Sequence, residues 1–507
     1  MAGTIYSLIP PLVVILMVIL TKKIIISISS GIIVGALLLN EFSPGGAVEN
    51  IVNSAVGIFY DGENINSDNI LLLIFIFGLG IITSFVAKNG GAIGFAKWAR
   101  KHVKSPAAAQ LVAVFLGILI FIDDYFNALT VGEVARPLTD QQKVSREKLA
   151  YLIDSTSAPV CSICPLSSWG AYIVALFAMI LPATVAPLNQ FIYTIPYNFY
   201  AIFALAVVLL SAGLNINIGK MNDIDSIYKK LSGEEDDEDE EDGTTGSESA
   251  SDLVIPIVLL AGISLIMMYI TGCISSGSFA IMDVLSGAST YLSLVTGGAV
   301  ALIYCAYRYY HLHGRHPIHV VIEGLRGVSG ATAALLFAWV FIDIVDQMQT
   351  GIFLSGIMVQ YHVNPQLMPF ILFILSSVMA IATGFSWGVF GIMLPISVQI
   401  SQSMGLSMEM MYCCLGAVLS GSVLGDHCSP IADTTILSST GARCNHIDHV
   451  VSQLPYAMFS GLIAAVGFFI IGFTGNLLIS FAAQIMILVI AVVLCKATSR
   501  GRAREVC

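Results

Sequence analysis

Asp123 and Asp124 stand side by side at the end of an apolar run, with Asn127, Thr130 and Glu133 close behind them. A second apolar run is interrupted by Asp154-Ser155-Thr156-Ser157-Ala158-Pro159. Far along the chain, Asp426-His427-Cys428-Ser429-Pro430 and Asp433-Thr434-Thr435 repeat the pattern. A carboxylate at membrane depth costs at least about 2.5–3.5 kcal/mol, so idle ones are strongly disfavoured. Hydroxyls and freed backbone carbonyls are hard oxygen ligands, suited to a small cation stripped of water. Two carboxylates held close resist ionising together, which suits a site that trades a sodium ion for protons. The expected ion-binding set is therefore Asp123, Asp124, Asn127, Asp154, Ser155, Thr156, Ser157, Asp426, Asp433 and Thr434.

Each member has a plainer alternative. The paired aspartates can cap a helix start. Ser and Thr in membrane helices commonly bond back to the i−4 carbonyl. His427 beside Asp426 is either a proton relay or a structural histidine. Half-helix N-termini at the same breaks would attract an anion rather than a cation, and the sequence leaves that choice open.

Enzyme chemistry finds little support. Cys161-x-x-Cys164 has the spacing of a redox or zinc half-site, but no second pair or nearby His completes it. The other cysteines are scattered through apolar segments as small core residues. No H-E-x-x-H or Walker loop occurs, and Val423 stands where an intramembrane aspartyl protease needs the first Gly of G-x-G-D. The expectation is a non-enzyme with no cofactor and no metal beyond transported Na+.

The elements that must hold these residues are membrane helices. At 56% hydrophobic and 11% charged residues, with a mean hydropathy of +0.86, the 507-residue chain cannot cover a soluble globule. Spans are expected at Ile5–Leu20, Ile24–Leu39, Ile70–Ala87, Pro106–Ile122 and Phe199–Gly213, with broken segments at Asp123–Pro137 and Leu149–Leu181. Later spans are expected at Leu253–Gly272, Ser289–Ala306, Ala331–Asp346, Gln366–Ala382, Pro455–Phe473 and Leu477–Cys495. Broken segments fall again at Thr383–Gln399 and Met411–Leu437.

Between the halves, Gly233–Asp252 holds eleven acids and no base; without them 22 acids face 22 bases, so the membrane body is neutral. Such a segment cannot bury enough apolar surface to fold. The chain thus divides into a membrane half (1–213), an acidic disordered linker (214–252), a second membrane half (253–495) and a basic tail (496–507). Basic loops orient the spans, with the N-terminus outside and the linker and C-terminus in the cytoplasm. Asn40–Asn69, rich in acids, reads as an external loop, and Gly90–Lys104 as an interfacial helix.

Internal duplication is the strongest organisational signal. Ala158–Gly170 aligns without gaps on Ser429–Gly441, and Asp124–Pro137 on Thr383–Ile396. The loop after the first copy carries Lys143, Arg146 and Lys148, whereas Ser401–Met410 has no base, so the copies face opposite ways. The fold expected is an all-α polytopic membrane protein, an inverted-repeat secondary transporter with broken or re-entrant helices.

FIDDYFNALTVGEVARPLTD, SREKLAYLIDSTSAPVCSICPLSSWG and LGDHCSPIADTTILSSTG together resemble the NhaC-type sodium/proton antiporter family of the ion-transporter superfamily. The resemblance implies proton-driven cation exchange at a prokaryotic plasma membrane, on an inverted-repeat fold with re-entrant hairpins. It also implies relatives that carry organic acids or amino acids. The Ser-Asn-Thr hairpin tips of related dicarboxylate carriers are missing, which argues against a dicarboxylate. The partners expected are Na+, H+ and the bilayer, without nucleic acid; a homodimer is left open.

Overall fold

The computed structural model describes all residues except 1, 22, 61–62, 91–102, 182–184, 232–250, 280–283, 285–286, 315, 351–352, 354–355, 357–363 and 506–507. Residues 232–250 of the expected disordered linker 214–252, and most of the segment Gly90–Lys104, therefore lie outside the described residues, while Lys220–Leu231 of that linker is a helix. Among the described residues, nine helices are long and apolar enough to cross a membrane.

The chain opens with α1 (Ile9–Thr21), α2 (Ile24–Leu39), α3 (Pro44–Gly57) and α4 (Ser67–Asn89). The expected external loop Asn40–Asn69 thus contains a helix. Its start is chemically ordinary: Ser43 accepts from the Gly46 amide and Pro44 occupies the first turn, where its missing N–H costs nothing.

The next two helices form a hairpin. α5 (Pro106–Leu119) has 14 residues, about 21 Å at 1.5 Å per residue, against the roughly 30 Å of a hydrocarbon core. The chain turns at Ile120–Asp123 and returns as α6 (Asp124–Gln141), packed against α5. Asn127 closes the turn by donating from Nδ2 to the carbonyls of Gly117 (2.6 Å) and Ile120 (2.9 Å), which α5 leaves open at its end. Pro137 sits inside α6 without ending it, so the break expected across Asp123–Pro137 is confined to the turn before Asp124.

α7 (Arg146–Ile163) and α8 (Ser168–Ile180) form a broken span. Cys164 is extended and Pro165 has no N–H to continue the helix. Ser167 then caps α8 by accepting from the Gly170 amide at 2.8 Å. α9 (Pro187–Thr194) continues through a 3-10 turn into α10 (Phe199–Gly213), the pair bent by 55°. α11 (Lys220–Leu231) packs against α7, where Asp225 accepts from the Ser145 amide.

The second half supplies α12 (Ser251–Ser276), α13 (Thr290–His313) and α14 (Ile318–Gln347). Arg308 grips the buried Asp252 through Nε and Nη2, at 2.6 and 2.7 Å, and so ties α13 to α12. α15 (Met368–Thr383) and α16 (Ser386–Ser403) form the second hairpin, α17 (Met408–Cys428) and α18 (Asp433–Ala442) the second broken span. α19 (His446–Thr474) and α20 (Leu477–Glu505) complete the chain. At the second hairpin tip Gly384 has φ +65°, and a Cβ there would lie 2.6 Å from the Ile431 carbonyl oxygen. Only glycine satisfies both demands.

Each hairpin's return helix packs on the other half's broken span: α6 on α18, and α16 on α8. At the first contact a Cβ on Gly132 would sit 2.5 Å from the Gly441 backbone. At the second, Tyr172 Oη donates to the Trp387 carbonyl at 2.9 Å. The gapless alignment of the copies slips locally. Pro159 lies inside α7 whereas Pro430 lies in the break after α17, because in the aligned frame α17 ends six residues before α7 does.

Candidate functional site

Four half-helix starts, those of α6, α8, α16 and α18, border one cavity of about 760 Å³. Asp123, Asp124, Ser168 and Asp433 contribute polar groups to its wall, and α4 and α14 close the opposite side. Lys88 and Glu323, about half exposed and paired at 3.3 Å, also line it.

The adjacent aspartates take separate positions. Asp123 caps α6, accepting from the Phe126 amide at 3.0 Å, and its second oxygen accepts from Ser168 Oγ at 3.0 Å. Because the Ser168 amide also donates to the Ile122 carbonyl at 2.8 Å, the hairpin tip is clamped to the start of α8. Asp124 lies in the first turn of α6, 4% exposed. The buried Trp169 indole N–H stands beside it. Asp433 enters from the other half, its carboxylate accepting from Tyr125 Oη at 2.9 Å.

Charge can be counted around this cavity. A helix start carries roughly half a positive charge, so four supply about +2 against three carboxylates. Lys88 and Glu323 cancel each other. With all three ionised about one negative charge is left over, the complement of one monovalent cation, and protonating one carboxylate removes it.

Asp154 is elsewhere. It is fully buried, outside the cavity wall, and the side chains around its carboxylate belong to the second half. Thr435 Oγ1 (3.1 Å), Ser438 Oγ (3.3 Å) and Gln453 Nε2 (2.5 Å) donate to its carboxylate, and His449 Nε2 lies 3.6 Å away. Thr156 Oγ1 donates to Leu152 O at 2.8 Å and Ser157 Oγ to Asp154 O at 3.1 Å, so both bond back along α7. Ser155 is buried on the same helix.

In the second half Ser386, the first residue of α16, donates to Asp426 Oδ2 at 2.6 Å, while Oδ1 has no partner. Thr434 is buried with its hydroxyl unpartnered. His427 has both ring nitrogens engaged, with Tyr200 Oη at 2.8 Å from Nδ1 and the Asp154 carbonyl at 3.1 Å from Nε2. A carbonyl only accepts, so Nε2 carries the proton and Nδ1 accepts from the tyrosine.

Sequence reasoning missed Ser168, Ser386, Tyr125, Gln453 and His449. Gln453 and His449 had a usable signal, since polar residues four apart share one helix face. They were lost because the last-but-one span was begun at Pro455. The helix begins nine residues earlier, at His446, capped by Asn445, which accepts from the amides of Ile447 and Asp448.

Comparison with known proteins agrees with this architecture. The family model described as the Na+/H+ antiporter family matches residues 160–473. An uncharacterized protein of Haemophilus influenzae is 38% identical over 502 residues, 97% of this chain and 95% of that one. The malate-2H(+)/Na(+)-lactate antiporter of Bacillus subtilis is 31% identical over 161 residues, 31% of this chain and 32% of its own. Among solved structures, the Alcanivorax borkumensis YdaH transporter has the same fold, with a TM-score of 0.59 at 15% identity over 86% of this chain and 90% of that one. With its two hairpins and two broken spans in place, and a family match across more than half its length, the chain belongs to the Na+/H+ antiporter family.

Proposed function

We propose that this secondary antiporter exchanges Na+ for H+ across the plasma membrane by alternating access, at the cavity formed by the four half-helix starts. One observation carries the reading: Asp123, Asp124 and Asp433, drawn from both halves, surround a single cavity whose helix dipoles offset all but about one of their charges. Na+ would be held by the Asp124 carboxylate with oxygens of Asp123, Ser168 and Asp433 near it. Protonating the same carboxylates removes the charge that holds the ion, so cation and proton compete and each drives the other out.

The other members of the expected set then divide by role. Asn127 supports the first tip. Asp154 gathers α18 and α19 onto α7, and Asp426 holds the start of α16. Thr434 is buried in the first turns of α18, with an unpartnered hydroxyl available to an ion. Movement of the hairpins and half-helices against the remaining scaffold would expose the cavity alternately to each side. With the basic segments in the cytoplasm, the Lys88 and Glu323 side of the cavity faces inward.

A second reading, a Na+- or H+-coupled carrier of an amino acid or small organic acid, draws on the same four helix starts, which favour a carboxylate. The counted charge favours the cation. Purified protein in liposomes with a pH-sensitive dye tests the choice. Na+ pulses should move protons without any organic solute, and apparent Na+ affinity should fall as pH falls. Proton movement that needs an added organic acid would replace the first reading with the second.

A further inference from the structure

The cavity is far larger than its supposed ion. Liquid water occupies about 30 Å³ per molecule, so roughly 760 Å³ would surround one Na+ with many waters rather than with protein oxygens. Its wall is also two-faced. Carboxylates and hydroxyls stand at the helix starts and, as Thr83 and Ser84, on α4, while Ile76, Leu129, Val328, Phe126 and Trp387 present hydrocarbon and aromatic surface between them. A hydrated metal ion gains nothing from that surface. Asp124 adds a separate observation, being a buried carboxylate on the wall beside the Trp169 indole. Lys88, the only base on the wall among the described residues, is already matched by Glu323.

We infer that the cavity takes an organic monocation, an ammonium or guanidinium group on a small apolar body, with the charged head at Asp124 and the body along Phe126, Trp387 and Leu129. Such a ligand uses both faces of the wall at once: the carboxylates meet its charge, the aromatic rings meet the cation and its hydrocarbon, and the net charge of about −1 is matched by one cation. Sodium is then one occupant of a site with room for a larger one. The inference rests on the proposed cation-binding role of these carboxylates, and adds the size and chemistry of the ligand.

The test uses purified full-length protein in liposomes and two permanently charged probes, guanidinium and choline, which cannot carry protons through the lipid as free bases. Labelled probe is offered to vesicles preloaded with the same unlabelled cation, alongside Na+-dependent proton movement in the same preparation. Expected are probe accumulation above protein-free vesicles, inhibition by excess Na+, and at least a tenfold loss of probe exchange in Asp124→Asn. Leu129→Trp, which fills the apolar wall and leaves the carboxylates in place, should impair choline more than Na+. Intact Na+/H+ exchange with no probe uptake, and no displacement of Na+ by either probe, overturns the inference and leaves the proposed function standing. Absence of both activities in folded protein overturns the two together.

Discussion

The two hairpin tips solve one problem with the parts exchanged. In the first half the acid is on the hairpin, Asp123 at the start of α6, and the hydroxyl is across the gap on Ser168 at the start of α8. In the second half the hydroxyl is on the hairpin, Ser386 at the start of α16, and the acid is across the gap on Asp426 of α17. Both pairs pin a tip to the next broken span. Only the first half follows its pinning acid with a second one, Asp124, whose carboxylate is left for the cavity. An acid that carries a hydrogen-bonded clamp is anchored, and a neighbouring acid without one is available. The difference makes the repeats unequal: the first half places two adjacent acids, Asp123 and Asp124, on the cavity wall, and the second places one, Asp433.

The largest effect that would break this comparison is in topology. Single cysteines at Gln142 and Ser403, in a background stripped of native cysteines, should label from opposite sides of the membrane. Labelling from one side would end the inverted relation of the tips. Next comes Asp124→Asn, which keeps the size of the side chain but removes its charge. It should abolish Na+-dependent proton movement, by at least about a hundredfold, in protein that still inserts and elutes as a single species. Asp426→Asn should cost about tenfold or less in the same dye assay, because the asparagine can still accept from Ser386. Equal losses in the two variants would mean that both halves titrate.

Gly384→Ala should destabilise by about 1–3 kcal/mol in detergent unfolding, from a left-handed φ and a collision with the Ile431 carbonyl together. The smallest effect is expected from Thr156→Val. Its hydroxyl already bonds back to Leu152 O, so exchange should stay within about twofold and stability within about 1 kcal/mol. A large loss of Na+ affinity there would restore Thr156 as a ligand.

Much of the fold was legible because its breaks are written in residues that cannot continue a helix. Pro165, Gly384 and Pro430 mark three of the four gaps, and the acids and serines beside them mark the helix starts. What could not be read was which half each side chain would meet. Asp154 sits within its own Ser/Thr motif, which suggested a local ligand set, yet its donors come from Thr435, Ser438 and Gln453. Local spacing carries no information about a partner nearly three hundred residues away in the chain. The repeat alignment failed in register for a related reason: identity of Pro, Ser and Gly rewards any frame that stacks breakers, and in that frame α17 ends six residues before α7 does.

The crossing of α6 with α18 also has a consequence for how the protein is made. Arg136 on α6 donates to the Gly441 carbonyl, a contact between residues 305 positions apart. At about 5–20 residues per second of synthesis, the first hairpin waits roughly 15–60 s before α18 has emerged. Throughout that interval two aspartates and an open hairpin tip have neither their helix partner nor their cavity. The first half must therefore be sheltered in a wet, protein-lined compartment of the insertion machinery, or remain near the membrane surface, until the second half arrives to seat it.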